Sequence, residues 1–351
     1  MTMGRSREER TGGTSRRRRV TIADVAAEAG VSTAAVSKVL RDAYGVSDQM
    51  RTKVQAAVDA LGYRPHTGAR AMRGRSYTVG VMLLDVAAQF QWEIIDGIST
   101  HLESTPFQEV LITGGTDPAR QKRAVEALLD RQMDGLVLIT PNMEASWLEE
   151  LGRRVPLVTV ARHGPSQTYD SVVTDDRLGA VLVVDHLVAL GHRRIMHITA
   201  PIGELERPSV LSQTPRLDGY LAAMERHGLP PQVIETDYSE PGGHRAAAQA
   251  LDAATPPSAI FAGADGSALG ALRAAEERGL EVPEHLSVVG FDNAFVSGIG
   301  RVSLSTVDQD GPATGRIAAE LLLQRLDGRT EPAHRVISPD LVIRGTSAPP
   351  R

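Results

Sequence analysis

Cysteine is absent from the 351 residues. Its absence excludes disulfide bonds, thiolate catalysis and cysteine-ligated zinc. No apolar run approaches the ~18 residues that a membrane-spanning helix needs, so no membrane partner is expected. An arginine-rich N-terminus is followed by no apolar segment, which argues against a secretory signal and for a cytoplasmic location. Aromatic side chains make up only 4% of the chain. Lysine is rarer still, three residues beside 35 arginines, which reflects GC-rich coding and says little about mechanism. What is present is ordinary for a soluble globular protein: 42% hydrophobic and 23% charged residues,. The length exceeds one comfortable core, so two or three domains are expected.

A net charge of −5 conceals two unlike halves. Residues 1–75 hold 15 Lys/Arg against 7 Asp/Glu, a charge of +8, and the remainder carries −13. A basic head on an acidic body suggests that only the head meets a polyanion. Residues 1–18, with Arg16 to Arg19 in a row, read as a disordered basic tail, either solvated or in loose contact with phosphate.

Past the tail, Thr21 is a natural N-cap, and Ile22, Val25, Ala26 and Ala29 share one helical face,. Gly30 permits a left-handed turn with Val31 as an apolar plug, and Ser32 caps a second helix with Val36, Val39 and Leu40 inward,. A third helix starts at Ser47, buries Val54, Ala57, Val58 and Leu61, and stops at Tyr63-Arg64-Pro65,. Two short helices joined through Gly-Val-Ser and braced by a third form a helix-turn-helix. A plain three-helix bundle is the rival reading. Against it, the outer face of the second helix carries Thr33, Ala34, Ser37, Lys38 and Arg41. That face is short, hydroxylated and basic, able to approach a major groove, touch thymine methyls and reach a guanine edge or a phosphate.

These residues carry a family resemblance. "VTIADVAAEAGVSTAAVSKVL" and "VSDQMRTKVQAAVDALGYRP" resemble the headpiece of LacI-type (lactose- and galactose-repressor-like) transcriptional regulators. The likeness continues through "LVALGHRRI", "RLDGY", "VPEHLSVVGFDN" and "IRGTSAPP", over roughly residues 20–351. It implies that Thr33, Ala34 and Lys38 read bases; Thr21, Ser32 and Ser37 join them as expected DNA contacts. It implies too that "GARAMRG", residues 68–74, is a hinge in which Met72 wedges into the minor groove, with Arg70 holding phosphate nearby,. Packing of Met72 against the sensor is the alternative. The expected organisation is a basic tail over 1–18, a helix-turn-helix domain over 19–64, a hinge over 65–76 and a two-lobed effector-binding and dimerisation domain over 77–351.

From Tyr77 onward, β-branched runs such as "TVGVMLL", "GLVLIT", "RIMHIT" and "LSVVGF" alternate with amphipathic helices. Helices are expected over 179–190, 219–227, 268–279 and 315–326. The alternation predicts parallel, doubly wound sheets, with too many strands for one lobe. The resemblance implies the same fold, a periplasmic-binding-protein-like sensor. Ligands bind at the carboxyl ends of strands in such sheets. Asp85, Arg162, Asp265 and Asp292 follow strands, and Arg216 precedes "LDGY". There a carboxylate can accept, and a guanidinium can donate, two coplanar hydrogen bonds with sugar hydroxyls. By resemblance Arg216 and Asp292 lead, Asp265 follows, and Asp85 competes with a role as helix N-cap. The family's Asn-Pro-Phe-Phe-like segment is replaced by "DVAAQFQW", where Trp92 can stack on a sugar or serve the core.

An enzyme is not expected. Asp175 and Asp176 read as strand neighbours on opposite faces, and His192 as a helix-end cation beside the last carbonyls. No P-loop or metal-ligand spacing is visible, and no cofactor is expected. A transport-type sugar-binding protein would suit the body but not the helix-turn-helix. The expected partners are double-stranded operator DNA, a small effector (a sugar or sugar derivative) and a second copy in a homodimer, the chain showing no heptad tail after "IRGTSAPPR",.

Overall fold

The computed structural model describes residues 20–40, 44–63, 75–86, 88–201 and 211–351. The chain divides into two compact units, Met1–Gly74 and Arg75–Arg351. The expected basic tail, Arg70, Met72 and most of the hinge lie outside the described residues.

In the first unit, α1 (Ile22–Ala29), α2 (Thr33–Val39) and α3 (Asp48–Leu61) close on a small core. Val25, Val36 and Val54, one from each helix, are 0% exposed at its centre. Each contributes about 1.5–3 kcal/mol of apolar burial. Thr21 and Asp24 cap α1 reciprocally: Asp24 accepts the Thr21 N–H at 2.7 Å, and Thr21 Oγ1 accepts the Asp24 N–H at 3.4 Å,. Gly30 ends the helix at φ 64°, ψ 35°, and the next N–H, Val31, bonds back to Ala26 O at 3.0 Å. That φ is why a glycine stands at the turn.

The second unit holds two six-stranded sheets. The first uses β1 (Thr78–Leu83), β2 (Gln108–Thr113), β3 (Gly135–Ile139), β4 (Leu157–Val160), β5 (Asp170–Thr174) and a late strand, β11 (His334–Ile337). Their order is β11-β5-β4-β3-β1-β2, all parallel. The second uses β6 (Ile195–Thr199), β7 (Gln232–Glu235), β8 (Ala259–Ala262), β9 (Ser287–Asp292), β10 (Ser305–Asp308) and β12 (Asp340–Val342). Their order is β12-β10-β9-β8-β6-β7, with only β12 antiparallel. Helices α4 (Gln89–Leu102), α5 (Pro118–Leu129) and α6 (Ala145–Arg154) connect strands of the first lobe. Helices α7 (Asp176–Ala189), α8 (Gln213–Arg226), α9 (Glu240–Leu251) and α10 (Asp265–Glu276) serve the second.

Helix α11 (Gly311–Leu326) leaves the second lobe and packs in the first, where Ala318, Ala319, Leu321 and Leu322 join the core of Val79, Ile94 and Val137. Its contact with α4 is backbone-close. A Cβ on Gly315 would lie 1.9 Å from Ile94 O, and one on Gly97 would lie 2.1 Å from Pro312 O. The chain therefore passes between lobes three times, near residues 175, 309 and 338. Among the described residues no helix is long and apolar enough to cross a membrane.

Several expectations are corrected. The four expected body helices each begin three to six residues early, at Asp176, Gln213, Asp265 and Gly311. Polar first turns carry no apolar period, and the caps Asp175 and Asp310 mark the true starts,. Asp175 and Asp176 are thus N-cap and first helical residue, not strand neighbours. His192 is not a helix-end cation: it is 1% exposed, Nε2 donates to Ala348 O at 2.9 Å, and burial pushes its imidazole below the ordinary range. Asp85 is not an N-cap; Ala88 holds that place on α4. Strands β7, β11 and β12 were not expected.

Candidate functional site

On α2, Ser32 Oγ accepts the Ala35 N–H at 3.1 Å, so the cap fixes the helix start,. Val36 and Val39 point inward, and Thr33, Ala34 and Lys38 are exposed, with Ser37 half-buried beside them. Thr21 and Ser32, also exposed, do structural work as caps. This is a rigid helix with a small, polar, cationic outer face, able to enter a groove without steric cost.

In the second unit, chemistry gathers where strands end between the lobes. Thr140 and Ala161 follow β3 and β4 at φ 51° and 56°, and Asp292 and Asn293 close β9 at φ 140° and 56°. Such backbone is costly for residues with side chains and clusters at functional turns.

Arg216 lies on α8 and is 4% exposed. Its Nε and Nη2 reach Asp176 Oδ1 at 3.2 and 2.5 Å, Nη1 donates to Gly263 O, and the guanidinium covers the Phe291 ring at 3.6 Å. Asp176, fully buried, also meets His163 Nε2 at 2.7 Å. Burial pushes the Asp176 carboxyl up, but Arg216 and His163 outweigh it and hold it below the ordinary range. His163 sits on the loop after β4, so this chain of three links the lobes.

Asp292 ends β9, where its Oδ1 accepts Gln309 Nε2 at 2.7 Å. Burial and the neighbouring Asp265 push it well above the ordinary carboxylate range. Asp265 is 1% exposed, and its oxygens accept Thr306 Oγ1 at 2.5 Å, Ser297 Oγ at 2.6 Å and the Ala294 N–H at 2.8 Å. Its visible work is to hold the 294–297 turn. Arg344, from "IRGTSAPP", donates to Leu304 O at 2.7 Å and Asn293 Oδ1 at 2.6 Å, and Asn293 donates to Asp308 Oδ2 at 2.9 Å. Two sequence motifs, joined by a bond between residues 51 apart, thus hold one turn.

Arg162 is 4% exposed; Nη1 donates to Pro141 O at 3.0 Å, and its backbone forms an antiparallel bridge with Leu211 across the lobes. Trp92 is 40% exposed, with Nε1 donating to Val86 O at 2.8 Å, and Asp85 is exposed nearby. Glu93, which sequence reasoning passed over, accepts the Phe295 N–H at 3.0 Å, a further bond between lobes. Burial above all, with Asp308, Asp265 and Asp96 adding, pushes its carboxyl up to about 7. Asp176, His163, Glu93 and Gln309 were missed because their partners lie tens to hundreds of residues away, beyond any periodic signal. Among the described residues no three His, Asp or Glu side chains converge as metal ligands do.

Comparison with known proteins places these features in a wider group. Residues 21–66 match the family described as bacterial regulatory proteins, lacI family, and residues 184–347 match a periplasmic binding protein-like domain. The chain is 32% identical over 316 residues to catabolite control protein A of Priestia megaterium, covering 89% of this chain and 94% of that protein. It is 32% identical over 334 residues to the HTH-type transcriptional repressor CytR of Escherichia coli strain K12, covering 93% and 96%. Among solved structures, the lac repressor dimer bound to operator and the anti-inducer ONPF superposes with TM-score 0.78 at 29% identity, covering 94% of this chain and 99% of that one.

Proposed function

This chain belongs to the LacI family of bacterial regulatory proteins and is a DNA-binding transcriptional regulator, and from that premise we propose how it works. Two copies bind a pseudo-palindromic operator through α2, with Thr33, Ala34 and Lys38 toward base edges and Thr21, Ser32 and Ser37 beside them. Met72 and Arg70 act at the centre of the operator, as wedge and phosphate contact. The domain plan is that of the sequence reading: headpiece over 19–64, hinge over 65–76, sensor over 77–351.

A small neutral effector, a sugar or sugar derivative, enters the interlobe cleft. Asp292 and Arg216 hold it first, with Asp85 and Trp92 at the rim, the buried Arg162 in the wall and Asp265 supporting the floor. Similar regulators crystallised with cellobiose and with ribose support that class. A change in lobe angle then shifts operator affinity, and the protein acts as a repressor in the cytoplasm. The observation that carries the reading is the coexistence in one chain of a capped helix with a polar outer face and a strained, carboxylate-edged cleft.

The test pairs two measurements on the full chain. Operator binding is followed by fluorescence anisotropy, and a panel of sugars and nucleosides is screened by thermal shift. A ligand at 100 times its Kd stabilises by about 2.7 kcal/mol. If no member raises Tm, or one does without moving operator affinity, the effector reading fails.

A further inference from the structure

At the amino ends of β4 and β5, away from the cleft, four arginines surround a cavity of about 340 Å³: Arg153 and Arg154 from the end of α6, Arg325 from the last turn of α11, and Arg329 just beyond it. Among the described residues no carboxylate lines the cavity itself. Beneath it lies Asp170, fully buried, accepting the Ala333 N–H at 2.8 Å and both Nη atoms of Arg329. Arg329 is spent: it also donates to Gln324, Glu331 and Leu321.

Arg325 is different. Its side chain is 7% exposed, and Nη2 lies 2.9 Å from Asp170 Oδ1, yet out of hydrogen-bond alignment. Among the described residues its Nε has no hydrogen-bond acceptor, and its Nη2 meets Asp170 only as an ion pair. One buried carboxylate thus serves two guanidiniums, the buried Arg325 and the half-buried Arg329. At the rim, Arg153 pairs with Glu150 at 3.2 Å, and Glu149 accepts from Gln167 N and Thr168 Oγ1 at 2.8 Å each. Among the described residues no ion pair or hydrogen bond engages Arg154, which is exposed. Four guanidiniums thus face three carboxylates, with Arg325 buried and Arg153 and Arg154 exposed at the rim, so positive charge is in excess around a desolvated cation,.

We propose that this cavity is an anion site that takes a phosphate group. A tetrahedral oxyanion accepts in the plane of a guanidinium, which the vacant Nε edge of Arg325 offers, and a second arginine can close on it from the rim. The shared chemistry admits a free phosphorylated molecule or a backbone phosphate of the bound operator.

The experiment uses the full chain. Inorganic phosphate is titrated calorimetrically at constant ionic strength, chloride making up the balance, against the parent, Arg325→Gln and Arg154→Ser. Saturable binding by the parent is expected, about tenfold weaker in each variant, the loss of one charge-assisted hydrogen bond. Should Arg325→Gln fold poorly, Arg154→Ser, an exposed substitution, decides the matter. No saturable heat from the parent, or parental affinity in Arg154→Ser, overturns the site. Operator titrations then name the occupant. Competition by phosphate, with the salt slope lowered by about one in Arg154→Ser, points to a backbone phosphate. Undisturbed operator binding alongside saturable phosphate binding points to a free phosphorylated ligand.

Discussion

The polar face of α2 and the interlobe cleft put chemistry on the surface by opposite routes. On α2 everything needed lies between Ser32 and Lys38: cap, inward valines and outer face. The cleft draws on Glu93, His163, Asp176, Arg216, Asp292 and Gln309, brought together only when both sheets are complete. Local residues make a surface that tolerates change in the rest of the chain. Distant residues make a site in which each charge depends on another, and breaking one partner strands the other.

The largest expected effect tests that dependence. Asp176→Asn leaves the buried Arg216 without its carboxylate, and a loss of roughly 3–5 kcal/mol in the stability of the sensor is expected. Urea unfolding followed by tryptophan fluorescence reads it, since both tryptophans, Trp92 and Trp147, lie in the sensor. A loss under 1 kcal/mol would show that the cleft is not built as described.

On α2 the contrasting expectation is function lost without stability. Lys38→Ala should weaken operator binding by about 1–3 kcal/mol, or reduce its salt slope by about one if the contact is to phosphate, with sensor unfolding unchanged. A parental binding isotherm at every salt concentration would break the comparison.

Acid should distinguish the two units next. His197, fully buried between Tyr220 and Phe261, is pushed down to about 3, chiefly by burial. Its folded value lies below its unfolded one, so the unfolded state binds the extra proton, and stability falls as pH drops below about 6.5. At pH 5 the sensor should lose about 2 kcal/mol to this group alone. Glu93 runs the other way. Its folded value of about 7 lies above the usual 4.5, so stability falls as pH rises through that window. Because Glu93 is half-exposed and screened, the effect is small. Glu93→Gln keeps an acceptor for the Phe295 N–H and should flatten the change in Tm between pH 5 and pH 7.5.

The smallest effect belongs to a cap. Thr21→Ala removes half of the reciprocal bond with Asp24 and should cost the first unit about 1 kcal/mol, seen in amide exchange confined to α1.

How far the sequence could be read follows the same divide. The helix-turn-helix was legible to the residue at Thr21, Gly30, Ser32 and Ser47, because caps and turns are local chemistry. The two-sheet architecture was legible from strand and helix alternation. Helix starts at Asp176 and Asp265 were not, since a buried carboxylate in a first turn leaves no apolar mark. Asp292 and Arg216 were expected as effector contacts, and the partners that set their chemistry were not expected. Asp176 lies 40 residues from Arg216, and nothing in the spacing of the two announces the bond.

Finally, α11 and β11 return to the first lobe after the second has been built. During synthesis, then, the lobe begun at Thr78 waits until about residue 337 has emerged before its sheet and core can close. The headpiece is complete by residue 63. A nascent or truncated chain ending anywhere between carries a finished reader and an unfinished sensor, so premature termination would uncouple recognition from control.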